Sequence, residues 1–238
     1  EVALGEIAET MLETDADRAE EILSMIPDGR QREEVLQQIA RLRASTDVEE
    51  AVGWLESLAV EDRAEAWEGA AREWARVDPE AAAAHARNTE DATARSELVE
   101  AISYSWAQRD PERAAEWAQG LEGPEQAGAI GRVVETWSRE DPAAAGEFVS
   151  SSLEGEIQVH LARQVASRWV RNDATAATAW IDSLPGGQMR DGAVYTLVQS
   201  IESDYPGVAM QWAETITDER RRSHALRRLE RYLPTDRQ

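Results

Sequence analysis

The chain repeats one short pattern seven times with almost no drift, and this constrains its fold more than any other feature. Taking the Asp before each Ala-rich stretch as an anchor gives Asp15, Asp47, Asp78, Asp110, Asp141 and Asp173, with Tyr205 in the seventh place; successive gaps are 31 or 32 residues. Four residues past each anchor stands Ala19, Ala51, Ala82, Ala114, Ala145, Ala177 or Ala209. Seven residues past it come Ile22, Trp54, His85, Trp117, Phe148, Trp180 and Trp212. A third column, late in each unit, reads Leu42, Trp74, Trp106, Trp137, Trp169, Ile201 and Tyr232. Self-similarity at a period of this length marks an array of stacked supersecondary units.

Each unit reads as two helices. The anchoring Asp is a good N-cap, because its carboxylate can accept from the free amides of the first turn. Pro follows at Pro79, Pro111 and Pro142, where its fixed φ is already helical and its missing amide costs nothing. Ala114, Trp117, Ala118 and Leu121 mark one face at helical spacing. The first helix stops at "IPDG" (26–29), "LEGP" (121–124) and "LPGG" (184–187), and a longer second helix follows. Its apolar positions are Leu98, Ile102 and Trp106 in the third unit, and Ile130, Val134 and Trp137 in the fourth. Neither helix can bury its apolar stripe alone, so each hairpin must stack on its neighbours. The recurring Ala lets backbones approach, and the large columns fill the space beside it. Gly128 and Gly131 lie inside a second helix, where each costs about 1 kcal/mol relative to Ala; a tight helix crossing is the expected reason, with a flexible joint as the alternative. Residues 2–13 align as a second helix lacking its first, so the full protein is expected to continue N-terminally.

The Asp-Pro junctions, the small-residue positions and the aromatic of the first helix make the array resemble tetratricopeptide repeats. An early Arg in the second helix, as in "RDGAVYTLV" (190–198), is similar to HEAT-type repeats. The unit is shorter than the tetratricopeptide unit of about 34 residues and lacks its Gly-then-Tyr pattern. The resemblance implies an all-α fold, a right-handed α-solenoid of about seven antiparallel helical hairpins. The chain would be a single helical-repeat domain over 1–238, with units starting near 15, 47, 78, 110, 141, 173 and 205 and residues 1–14 closing a preceding unit. It also implies the binding habit of such arrays: a scaffold or adaptor gripping a protein or peptide on its curved surface.

Composition narrows the partners. Of 238 residues, 47 are acidic and 25 are basic, all of them Arg, for a net charge of −22. Such a surface repels nucleic acid and anionic lipid. It fits Arg-biased coding or adaptation to high salt, and its functional alternative is attraction for a cationic partner. The expected partner is therefore a protein or peptide, a basic one where the acidity is functional. No apolar run approaches the ~20 residues that span a bilayer, so no membrane insertion is expected. Cysteine is absent, which removes disulfides, thiolate nucleophiles and Cys-bound metals. With a first residue other than Met, this leans toward an exported protein.

No catalytic constellation is present. His85, His160 and His224 fall in different units with no metal-binding spacing, and neither a phosphate loop nor a Gly-x-Ser-x-Gly elbow occurs. The expectation is a non-enzyme with no cofactor and no metal. Two places stand out as candidate binding residues. His85 replaces a large aromatic in a unit that also loses its Leu-Pro ending, reading as a partly buried His, a shallow polar pocket or a pH-sensitive joint. Arg220, His224, Arg227 and Arg231 share one stripe of the last helix. Residues 218–238 carry seven Arg against four acids, a net +3. That stripe reads as a polar end cap, a dock for an acidic segment, or a self-association surface. Rival readings of the whole chain are a structural spacer or self-assembly module, and an accessory region of an enzyme complex.

Overall fold

The computed structural model describes residues 16–232, and these form helices joined by short turns, with no strand among them. The helices are α1 (Ala16–Leu23), α2 (Arg30–Thr46), α3 (Val48–Ser57), α4 (Val60–Val77), α5 (Pro79–Asn88), α6 (Ala92–Ala107) and α7 (Pro111–Gln119). There follow α8 (Glu125–Glu140), α9 (Pro142–Ser152), α10 (Gly155–Asn172), α11 (Ala174–Ser183), α12 (Gln188–Ile201), α13 (Pro206–Glu214) and α14 (Glu219–Leu229). Odd-numbered helices are the first, and even-numbered the second, of each sequence unit. The helix expected over residues 2–13 and the anchor Asp15 lie outside the described residues. The chain divides into two compact units, Glu1–Val133 and Val134–Gln238, the division falling inside α8.

One residue makes each junction between hairpins. The Asp78 amide donates to the Trp74 carbonyl, closing α4, while its carboxylate accepts from the Ala81 amide at 2.9 Å, opening α5. Asp47, Asp110, Asp141 and Asp173 do the same, with cap bonds of 2.9–3.1 Å. Tyr205 keeps the backbone bond to Ile201 but supplies no side-chain cap. The turn within each hairpin is tied by a column of long donors near the start of the second helix. Arg32 donates to the Leu23 carbonyl at 2.6 Å, Arg63 to Leu58 at 2.9 Å, Arg95 to Thr89 at 3.1 Å and Arg222 to Ile216 at 2.8 Å. Gln126 and Gln158 do so to Gln119 and Leu153. Arg190 departs, reaching Thr215 and Asp182. These side chains satisfy carbonyls that a helix C-terminus leaves orphaned.

The Ala column is the tightest part of the interior: all seven members are at most 1% exposed. Trp74, Trp106, Trp137 and Trp169 are buried, whereas Trp117, Phe148, Trp180 and Trp212 are only half-buried. The two columns meet across the Asp junction. Ring centroids are 5.9 Å apart for Trp106–Trp117, 5.8 Å for Trp137–Phe148 and 5.7 Å for Trp169–Trp180. Such tilted pairs contribute about 0.5–1.5 kcal/mol beyond the area they bury. Tyr232, the last of its column, is exposed.

In the first unit α2 packs on α4 and α4 on α6; in the second, α10 packs on α12 and α12 on α14. The closest approach needs a glycine. A β-carbon on Gly69 of α4 would overlap the Gln37 carbonyl and lie 2.8 Å from its Cα on α2. Gly146 similarly lies under the Trp180 indole, 2.9 Å from where its own Cβ would be. The expected tight crossing at Gly128 and Gly131 is overturned, since a β-carbon on either would have nothing within 4 Å. The packed side of α8 carries Ala129, Ile130 and Val133, and the two glycines lie off it.

A charged row on the second helices

The Arg/Gln column that ties the hairpin turns fixes a common register for the second helices, and a row of equivalent sequence positions follows from it. Two residues past each tie stand Glu34, Glu65, Glu97, Gly128, His160, Gly192 and His224; five past it stand Gln37, Glu68, Glu100, Gly131, Arg163, Tyr195 and Arg227. The row is acidic in the first three hairpins, bare at the two glycines of the fourth, and basic or aromatic in the last three.

In the first unit the row is continuous. Gln37 donates to Glu68 at 3.0 Å, linking α2 to α4. Glu97 on α6 has its carboxyl held above the usual range, first by burial and then by Glu68, Glu100 and Glu65, with Arg72 opposing. A Glu65 carboxylate oxygen is buried without a hydrogen-bond partner among the described residues. Glu68 and Glu100 are answered by Arg72 and Arg132, each at 2.5 Å. Residues 1–133 hold 31 acids and 13 arginines, a net −18, so carboxylates there outnumber any cation available to them.

In the second unit the row turns basic, at Arg163 and Arg227, although the net charge stays negative. Residues 134–238 hold 16 acids and 12 arginines, a net −4. One cleft of about 580 Å³ is lined by His160, Arg163, Gln164, Arg168 and Arg171 of α10 with Glu135 of α8 and Gln199 of α12. A second, of about 350 Å³, lies among α10, α12 and α14, lined by Arg163, Tyr195, Arg220, Arg221 and His224 with Asp218. Arg163 belongs to both. Tyr195 and His224 share a 2.8 Å hydrogen bond between Oη and Nδ1, their rings 5.9 Å apart. The aliphatic stem of Arg163 packs on Gly192, 3.2 Å from where a β-carbon would stand. Arg163, Arg171, Arg220, Arg227 and Arg231 are exposed, and none has an acidic partner among the described residues. In a chain with nearly twice as many acids as arginines, that cluster of uncompensated cations stands apart.

The structure thus brings Arg220 and His224 into one cleft, with Arg227 on the same row, while Arg231 lies just beyond the helix in a turn. His85 stands far from this row in sequence register, as a member of the aromatic columns. Its ring is 4.9 Å from Trp74 and 5.8 Å from Trp67, and burial holds its pKa below the ordinary value, Glu56 opposing weakly. The neighbouring cleft of about 540 Å³ is lined by Ala86, Arg87, Val99, Trp117 and Leu121, not by His85. Glu65, Glu97, His160, Arg163 and Tyr195 were not singled out from sequence; aligning polar positions on the 31–32-residue period would have found them.

Among the described residues, no three His, Cys, Asp or Glu side chains gather as a metal-binding group. No described helix is long and apolar enough to cross a membrane. In comparisons with known proteins, no family model, no curated protein and no solved structure matches this chain.

Proposed function

We propose that the protein is a non-catalytic protein-binding scaffold: a right-handed α-solenoid of seven hairpins whose second helices form the recognition face. The stacking is supported by side-chain ties spaced by about one repeat. Arg32–Asp62, Arg95–Glu125 and Arg132–Glu100 tie the first unit, and the ties from Asp191 to Thr217 and from Glu202 to Arg228 serve the second. One observation carries the functional reading. The polar row in register on the second helices is segregated by charge, acidic before Gly128 and basic after it at Arg163 and Arg227, although a merely solvated surface has no need of such order. The acidic half would take a basic segment of a partner, and the basic half an acidic one, with complementarity supplying specificity and speed of encounter.

The test is fluorescence anisotropy with two labelled peptides, one Glu-rich and one Arg-rich. Both are expected to bind at about 0.15 M salt and to be released near 1 M, where the Debye length falls to about 3 Å. Arg163→Glu with Arg227→Glu should weaken the Glu-rich peptide and leave the Arg-rich one bound. Absence of binding by either peptide, or indifference of both to the substitutions, refutes the recognition face.

A further inference from the structure

Resting on that reading, we infer that the occupant of the basic half of the row is the acidic half of a second copy of this chain. Three observations point the same way. The first is sign: Glu65, Glu68, Glu97 and Glu100 on one half oppose Arg163 and Arg227 on the other, with Arg171 and Arg220 in the clefts that Arg163 lines. The second is pitch. Arg163 and Arg227 stand two hairpins apart on the second helices, 64 residues in sequence, and Glu34 and Glu97 are likewise two hairpins apart, at 63 residues. A contact that sets Arg163 and Arg227 against carboxylates two hairpins apart can therefore make both pairs at once. The third is need. Glu97 sits among Glu65, Glu68 and Glu100, and a buried Glu65 oxygen has no hydrogen-bond partner among the described residues. Among the described residues, Arg163, Arg171, Arg220 and Arg227 have no acidic partner in ion-pair reach. Each half carries what the other lacks.

Two bodies of charge −22 repel as wholes, and this sets a distinctive salt dependence. At about 0.01 M salt the Debye length is about 30 Å and whole-body repulsion reaches across the contact; at 0.15 M it is about 8 Å, which screens distant charge but spares touching pairs. Association is strongest at intermediate salt and lost near 1 M. The contact is head-to-tail between different surfaces, so it either closes when both contacts are made within one pair or extends into a longer assembly.

Sedimentation equilibrium on the whole chain tests this with two charge-reversed variants, Arg163→Glu with Arg227→Glu, and Glu34→Arg with Glu100→Arg. The wild type is expected to associate at about 0.15 M salt, and each variant alone to associate roughly 100-fold more weakly, since like charges then face each other. An equal mixture of the two variants restores one intact contact and gives a 1:1 complex. Circular dichroism checks that each variant folds, and Glu34→Gln with Glu100→Gln replaces the second pair should it not. A wild type that stays monomeric from low to high salt overturns the inference, as does association indifferent to the reversals or a mixture that fails to combine. If the wild type is monomeric yet still holds the Glu-rich peptide through Arg163, the recognition face stands and only this occupant falls.

Discussion

Gly69 and Gly128 both interrupt a second helix, yet alanine should act on them in opposite directions. At Gly69 the added methyl meets the α2 backbone, which cannot swing aside as a side chain would. Gly69→Ala should cost about 2–3 kcal/mol, in the range of overpacked sites. Gly128→Ala meets open space and gains helix propensity, so it should stabilise by roughly 1 kcal/mol; urea denaturation of both variants decides the matter. The sequence announced the glycines of α8, but only backbone geometry distinguishes a required glycine from a tolerated one. His85 makes a second residue-scale prediction. Its pKa lies below the ordinary 6.5, chiefly through burial beside Trp74 and Trp67, so the unfolded chain binds its proton more readily. Its contribution is complete above about pH 6.5 and is lost as pH falls below that toward the depressed native value. His85→Phe should therefore flatten the loss of thermal stability between about pH 6.5 and 5, measured by calorimetry against the wild type.

At the scale of the helix, the sequence was most legible. Asp, Pro and the Ala column predicted where first helices begin, and the cap bonds at Asp47, Asp78, Asp110, Asp141 and Asp173 follow that reading. The tie inside the hairpin was half legible. The Arg was visible as a motif, but its partners are carbonyls, which carry no sequence signature, and Gln126 and Gln158 do the same work under another letter. Asp191, in the same motif, is buried and accepts from the Thr217 amide and hydroxyl and the Asp218 amide, all within 2.8 Å. Burial alone would push its carboxyl up, but these donors and Arg221 outweigh that and hold it below the usual range. Asp191→Asn should destabilise by roughly 2–4 kcal/mol, because charge-assisted bonds in the interior are lost. The wild-type advantage should be complete above the ordinary Asp range and vanish as pH falls through the depressed native value, which denaturant titrations from neutral to acid pH will follow.

Across the molecule, charge is the property least visible residue by residue. The basic stripe of α14 was apparent from its spacing, whereas the remainder of the row was hidden because the repeat was aligned on its apolar columns, where packing enforces likeness. Polar positions are free to differ from hairpin to hairpin, and it is their ordered difference that carries the functional reading. The net −18 of residues 1–133 against the −4 of residues 134–238 gives a prediction at this scale. Raising salt from about 0.05 to 0.5 M screens carboxylate repulsion, so hydrogen-exchange protection should rise more in α2, α4 and α6 than in α10 and α12. Equal gains in both sets would mean that local ion pairs already cancel the excess. The junction made by a single Asp has a longer consequence. With no slack between one hairpin and the next, a chain of this kind tolerates editing only in whole links. A duplicated or deleted block of one period leaves every seam intact, while a change of a few residues at a seam would turn all that follows out of phase. On the proposed stacking, its length would be adjustable in quanta, one link at a time.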